Sequence, residues 1–369
     1  MTTQDTLKAL FDAGVTAVRG DTAVTNALKS APVPIPDQII AVGKAATAMA
    51  QSAAKLFPDT PLLIVTKYGH AQEAPAHAEV IEAAHPVLDE HSILAGQRIV
   101  DTVTAMTSGS HLMMLVSGGA SALAEAPVDG LDLHALKARA TELLGSGADI
   151  HEMNALRKTL SRIKGGKLLA AFKGARVTTL AISDVEGDAL GVIGSGIGDV
   201  PDSANFEFTP KIVASNAIAR AAVVGAAEKQ GISLSTNDET LYEDITELGP
   251  ELAKTLIGGA SGLHLWGGEP TVILPENPGQ GGRNQALALI IAREIAGQTG
   301  LEVLVAGTDG TDGPTDAAGA IVTGDTWDAS GEEALQRADA GTWLEARGAL
   351  LKTGPTGTNV MDLVIALKA

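Results

Sequence analysis

Two basic residues stand where helix electrostatics alone would not put them. Lys44 follows the apolar run 38–42 and a single glycine, at what the pattern makes the first turn of a helix. Arg283 follows Pro278-Gly279-Gln280-Gly281-Gly282, again at a helix start. That end of a helix carries the positive pole of its dipole, so a cation there is misplaced unless an anion joins it. A lysine ammonium is a point charge for a phosphate or a developing oxyanion; an arginine fork on bare backbone suits a carboxylate or a phosphoryl group in transfer. A solvated lysine and a loop-bridging arginine are the plain alternatives.

Between them lies Leu112-Met113-Met114-Leu115-Val116-Ser117-Gly118-Gly119-Ala120-Ser121. The apolar run reads as a buried parallel strand, and Ser117, Gly118, Gly119 and Ser121 form a turn into a helix. Glycines let backbone N–H groups approach a ligand, and the hydroxyls and helix start complete an anion cradle at the carboxyl end of a strand. An ordinary serine-capped turn would look the same. Six basic residues, Arg157, Lys158, Arg162, Lys164, Lys167 and Lys173, crowd one short span. Lys158 and Arg162 would be like-charged i,i+4 neighbours, a conflict that an anion or an acidic face would remove and that a solvated face would tolerate. Two acidic loops follow apolar runs: Ser183 to Asp188, with Asp184 and Asp188, and Gly307 to Gly319, with Asp309, Asp312 and Asp316. Carboxylates so placed can hold Mg²⁺, or simply form solvated turns.

These loops need elements to hold them. Apolar runs predict strands over 38–42, 61–66, 79–83, 112–116 and 176–182, with helices between them, among them 3–18, 90–106, a helix capped by Asp132 and one over about 150–163. Such alternation indicates a parallel sheet with helices on both faces. A second unit is expected from near Pro210, begun by 211–214 and an alanine-rich helix to about Lys229, with strands over 263–266, 271–274, 303–306 and 362–367 and a helix from Arg283. The expected domains are therefore 1–210 and 211–369, a length of 369 residues being about two domains' worth.

Composition narrows the chemistry. With no cysteine there is no disulfide framework, thiol catalysis or cysteine metal site. A net charge of −18 argues against nucleic acid and anionic membranes as partners. No apolar run approaches the ~18 residues of a membrane span, and the first residues lack a signal-peptide pattern, so the cytoplasm is the expected compartment. Neither the P-loop nor the complete Gly-x-Gly-x-x-Gly fingerprint occurs; Gly194-Ser195-Gly196-Ile197-Gly198 has the wrong spacing.

As an ordered set these motifs resemble the bacterial class II glycerate 2-kinases, whose C-terminal half is called the MOFRL domain; some members carry the older name hydroxypyruvate reductase. The matching stretches are 42–45, 116–123, Arg157-Lys158 with Leu160-Ser161, 164–167, 183–185, 267–271, 281–285, 307–314 and 354–359. The chain departs from the family pattern at Thr159, Glu186 and Met361, where a histidine, a proline and a polar residue are usual. The resemblance implies two α/β domains, the second smaller, with the active site in the cleft between them. It implies ATP as donor, Mg²⁺, D-glycerate as acceptor at its 2-hydroxyl, and a monomer or homodimer. Lys44 and Arg283 carry over as catalytic. Ser117, Gly118, Gly119, Ser121, Arg157, Lys164, Glu269 and Asn284 are expected to bind substrate or phosphate, and Asp184, Asp188 and, in reserve, Asp312 to bind metal. Two other classes compete: an NAD(P)H-dependent hydroxypyruvate reductase, which the missing fingerprint disfavours, and a non-catalytic sugar-phosphate-binding regulator, which would leave Arg283 and the acidic loops unexplained.

Overall fold

The computed structural model describes residues 2–145, 155, 157–201 and 204–369. The chain forms two compact units, Arg19–Ser215 with Gly357–Asn359, and Met1–Val18 with Asn216–Thr356 and Val360–Ala369.

The first unit is built on β1 (Gln38–Val42), β2 (Leu62–Lys67), β3 (Glu79–Ala83), β4 (His111–Val116), β5 (Arg176–Ile182) and β6 (Glu207–Ala214). Their order is β3-β2-β1-β4-β5-β6, and every pair is parallel. All six residues of β4 are buried, as expected of a central parallel strand without polar alternation. Ile40, Val42, Leu63, Val65, Leu112, Met114 and Val116 pack with Ile99 and Val103 of the helix Glu90–Ala105 in one core. Each such side chain contributes about 1.5–3 kcal/mol on burial. That helix starts where its sequence dictates: Asp89 accepts from Ser92 N at 2.9 Å and Ser92 Oγ accepts from Asp89 N at 3.1 Å, a reciprocal cap. The strand order reverses between β1 and β4, which places the ends of those two strands side by side.

Two expectations for this unit change. The run 211–214 does not open the second unit; it ends β6, which pairs with β5 from Arg176↔Glu207 onward. Its first half, Glu-Phe-Thr-Pro, sets one half-buried apolar residue, Phe208, between exposed neighbours, so no apolar run marks the strand there. The helix expected over about 150–163 falls partly outside the described residues. Residues 157–160 are helical, but Ser161 leaves the helix to bridge Pro127, and Arg162 N donates to Ala126 O at 2.7 Å. Lys158 and Arg162 are therefore not neighbours on one helix face, and the like-charge conflict does not arise.

The second unit carries β7 (Leu234–Leu241), β8 (Gly262–Gly268), β9 (Leu301–Gly307), β10 (Gly319–Thr323), β11 (Leu350–Leu351) and β12 (Asp362–Lys368) in the order β11-β10-β9-β12-β8-β7. Only β7 and β8 pair in parallel; the other four pairings are antiparallel. Leu287, Ile290 and Ile291 of the helix Arg283–Glu294 pack with Leu248, Leu252 and Leu256 of the helix Ile245–Gly258 and with Val303 and Val305 of β9. The strand expected over 271–274 is absent: Thr271 makes one bridge to Asp244, while Ile273 and Leu274 stand 88% and 57% exposed. Prolines at 270 and 275 flank it and withhold ladder donors.

The units also divide differently from 1–210 and 211–369. The helix Thr3–Val18 buries Leu7, Leu10, Phe11, Val15 and Val18 and packs on the helix Asn216–Lys229, where a Cβ on Gly14 would approach Val223 Cγ2 to 2.9 Å. An amphipathic stripe announces that it will be covered and is silent about which sheet does the covering. Gly357–Asn359 returns in the same way to the first unit, with Gly20 N donating to Gly357 O at 2.9 Å.

Candidate active site

In open α/β sheets ligands sit beyond the carboxyl ends of the strands where the order reverses. Here that point joins two of the sequence motifs, the Gly43-Lys44 turn after β1 and the Ser117–Gly119 turn after β4. Ser117 N donates to Val42 O at 3.0 Å, Lys44 N to Gly118 O at 2.8 Å and Ala45 N to Ser117 Oγ at 3.1 Å. Gly43 has φ 128°, and a Cβ there would fall on the Ser117 hydroxyl and carbonyl, so only glycine lets the two turns close. Ser117 is fully buried and fastens the turns together. Gly119 has φ 82°; a Cβ on it would lie 3.2 Å from Lys44 Cγ and 3.1 Å from His85 Cδ2, so both side chains crowd the space its bare backbone leaves.

The acidic loop after β5 closes on the same turn. A Cβ on Gly118 would fall on the Asp184 carboxylate, and Asn359 Nδ2, 3.4 Å from Asp184 Oδ2, completes the group. Asp188 sits farther along, in a tight turn with Gly187 at φ 73° and itself at φ 54°. Among the described residues no three of His, Asp and Glu form a set arranged for a metal. One carboxylate beside bare backbone nevertheless fits Mg²⁺, which keeps its waters and takes most other oxygens from phosphates.

In sequence, Gly194–Gly198 shows only a dinucleotide motif of the wrong spacing. The structure gives it a place in the site. Ser195, at φ 58° and buried, bonds Ser121 Oγ to Oγ at 2.9 Å, and Ser195 O and Gly196 O accept from Gly165 N and Gly166 N at 2.8 and 3.1 Å. A non-glycine residue in that region costs on the order of 1 kcal/mol, and such strain gathers at functional loops. Glycine density was the available signal.

The basic span splits three ways. Arg162 donates to Pro127 O and Gln97 Oε1 at 2.9 and 2.7 Å, and Lys167 to Ser161 O at 2.9 Å, so these two serve the backbone framework. Lys164 is 1% exposed, with Nζ 2.6 Å from Glu125 Oε2. Burial drives its pKa down, against the pull of Glu125. Arg157, Ser121, Lys164, Glu125 and His85 line a cavity of about 230 Å³. Glu125 was missed because a lone glutamate after Ser121-Ala122-Leu123-Ala124 carries no motif.

Arg283, Glu269, Asn284 and Asp312 gather in the second unit. Arg283 starts its helix beside β12: Nε donates to Asp362 Oδ2 at 2.7 Å and Nη1 to Glu269 Oε1 at 2.8 Å. Burial works against its charge, but the Asp362 carboxylate outweighs it and holds the guanidinium above its ordinary pKa. Asp362, 2% exposed, shows in sequence only as the first residue of a strand. Asp312 caps the helix from a distant loop, accepting from Asn284 N at 3.0 Å and Gln285 N at 2.8 Å, one on each oxygen. Asn284 is 1% exposed, and its side-chain amide finds no partner among the described residues. The Met361 departure has a backbone reason: at φ 67° the position favours a short polar side chain such as asparagine, and its carbonyl accepts from Thr308 Oγ1 at 2.7 Å.

Burial pushes the Asp312 pKa up to about 6, although the N–H groups of Gln285 and Asn284 pull it down. The folded value exceeds the ordinary 3.8, so the folded state holds this proton more tightly. Its contribution favours folding most below about pH 4 and is lost as pH rises through about 6. In a carboxyl-carbon NMR titration we expect Asp312 to move with a midpoint near 6; a midpoint under 4 would mean that the two N–H donors outweigh burial.

Fold and turns together define a two-unit α/β protein whose parallel sheet reverses its strand order at a lysine-bearing turn. Residues 6–227 match the family model described as a domain of unknown function (DUF4147), and residues 262–362 match the MOFRL family. The chain belongs to this family, in which relatives are named glycerate 2-kinase. The D-glycerate 2-kinase of Thermotoga maritima is 36% identical, over 89% of this chain and 90% of the relative. A putative hydroxypyruvate reductase of Agrobacterium vitis is also 36% identical, over 97% and 92%. The crystal structure of glycerate kinase from T. maritima superposes with a TM-score of 0.88 at 33% identity, covering 98% of both chains. Among the described residues no helix is long and apolar enough to cross a membrane.

Proposed function

We propose that this protein is a glycerate 2-kinase that transfers the γ-phosphoryl group of ATP to the 2-hydroxyl of D-glycerate, giving 2-phosphoglycerate and ADP. The observation that carries the reading is the lysine held by its own backbone N–H against the Ser117–Gly119 turn at the strand-order reversal. Names borne by relatives in Thermotoga maritima and Pyrococcus horikoshii support it.

Phosphoryl transfer asks the protein mainly for positioning and charge neutralisation. Lys44 supplies a point charge beside bare backbone. Arg283 supplies a planar cation whose Glu269 partner, half exposed, gives way to an incoming anion, while buried Asp362 keeps the guanidinium in place. Mg²⁺, when bound, neutralises phosphate charge, and Asp184 with Asn359 would hold it. Asp312, both oxygens engaged by the helix, is given no metal.

The product is expected to be the 2-isomer. Coupling the reaction to enolase checks this, because that enzyme consumes 2-phosphoglycerate directly; a signal that appears only after a mutase is added would refute the regiochemistry and spare the kinase. One observation favours a second reading, a hydroxypyruvate reductase: β3-β2-β1-β4-β5-β6 is also the strand order of dinucleotide-binding sheets. Against it, the β1 turn carries Lys44 where the glycine fingerprint would stand. Oxidation of NADH or NADPH by hydroxypyruvate, without ADP formation from ATP and glycerate, would decide for the reductase.

A further inference from the structure

Glu125 is 3% exposed and, among the described residues, uses only one of its oxygens. Oε2 meets Lys164 Nζ at 2.6 Å, whereas Oε1 has no hydrogen-bond partner among the described residues. A buried acceptor without a donor is costly and calls for an explanation. The residue lines the cavity that begins at Gly119 and Ser121, and Arg157 stands at its wall. A carboxylate only accepts, so the missing group is a donor. Lys164 already balances the charge, and a second anion would be repelled; a neutral hydroxyl answers both conditions. At about 230 Å³ the cavity is smaller than the roughly 300–1,000 Å³ of drug-sized ligand pockets. It suits a short hydroxy acid better than a nucleotide.

We propose that this cavity receives the acceptor, with Glu125 Oε1 taking a hydrogen bond from the terminal 3-hydroxyl of D-glycerate and thereby selecting a 3-hydroxylated acid. Arg157 then faces the carboxylate, and the 2-hydroxyl is left toward Gly119, beside which Lys44 lies. The assignment rests on the kinase reading. It makes Glu125 a specificity residue rather than a base for the reacting hydroxyl.

D-lactate tests it, since it keeps the carboxylate and the 2-hydroxyl and lacks only the 3-hydroxyl. The wild-type protein should prefer D-glycerate by about 10²-fold or more in kcat/KM, as sites built to bond a hydroxyl reject analogues without one. In the Glu125→Met/Lys164→Met double variant, which removes both charges at similar volume, the preference should fall below about 10-fold, chiefly by loss of the glycerate reaction. Glu125→Gln, which keeps the shape, should fall between. If the wild-type preference is absent, or survives in both variants, the proposal is wrong, and the orphan oxygen is satisfied by water. A role confined to folding would slow both substrates equally and leave the ratio unchanged. If wild-type protein forms no ADP with glycerate, the kinase reading fails separately. Calorimetric titration of wild-type protein and the double variant with D-glycerate and D-lactate then decides the pocket: selective binding lost in the variant supports it, and equal or no binding overturns it.

Discussion

Arg283→Lys is expected to lower kcat for glycerate phosphorylation by about 10³-fold with little change in melting temperature, and Lys44→Ala by a similar factor. The magnitude is that of losing a charged group that acts mainly in the transition state. Lysine is the informative replacement because of Asp362. That carboxylate is 2% exposed and leans on Arg283 Nε at 2.7 Å. An alanine would leave it buried and alone, at a cost of about 3–5 kcal/mol, and would confuse folding with catalysis. Lysine keeps a positive charge near Asp362 and loses the planar fork. Steady-state kinetics beside thermal melts separate the two effects. A lysine variant with near-normal kcat removes Arg283 from the chemistry and leaves it a structural partner of β12.

The largest effect on stability should come from Lys164. Its replacement by methionine leaves the Glu125 carboxylate buried without its cation, and we expect a loss of about 3–5 kcal/mol. For a unit of this size that is on the order of 10 °C in melting temperature. Removing both charges in the Glu125→Met/Lys164→Met variant should restore stability to near or above the wild-type level, because the pair's attraction does little more than offset its desolvation. Chemical denaturation of the three proteins measures the cycle. A Lys164→Met protein as stable as wild type would mean that water reaches the pair. Retention of so poorly stabilising a pair is what a substrate-facing role for Glu125 accounts for.

The central strands and both turns at the order reversal were legible without coordinates. Runs such as 38–42 and 112–116 are too short and too apolar for anything but buried parallel strands, and an arginine at a helix start, as at Arg283, conflicts with the helix dipole wherever the chain places it; Lys44, expected in a first helical turn, lies just before the cap Ala45 of the helix Ala46–Leu56. These are local facts, complete within a few residues. For the same reason Gly43, Gly118 and Gly119 could be singled out, since close approach of backbone needs glycine whatever approaches.

Pairing was not legible. The polar strand Leu234–Leu241 lacks the pattern of a central strand, and the short apolar run Gly319–Thr323 does not announce that it turns back antiparallel on the strand Leu301–Gly307; pairing decides both. The helix Thr3–Val18 shows an apolar stripe, yet only packing decided that it belongs with residues 216–369. The basic span 157–173 shows why composition stops short of a site: three equivalent-looking cations end on a backbone carbonyl, on a buried glutamate and at a cavity wall. Residue types determined that this chain would carry glycine-rich turns with serine, lysine and arginine at strand ends and helix starts. Which carboxylate meets which cation, and that Glu125 is left with one oxygen unspent among the described residues, depends on contacts between segments tens of residues apart, and only the tertiary structure decides those.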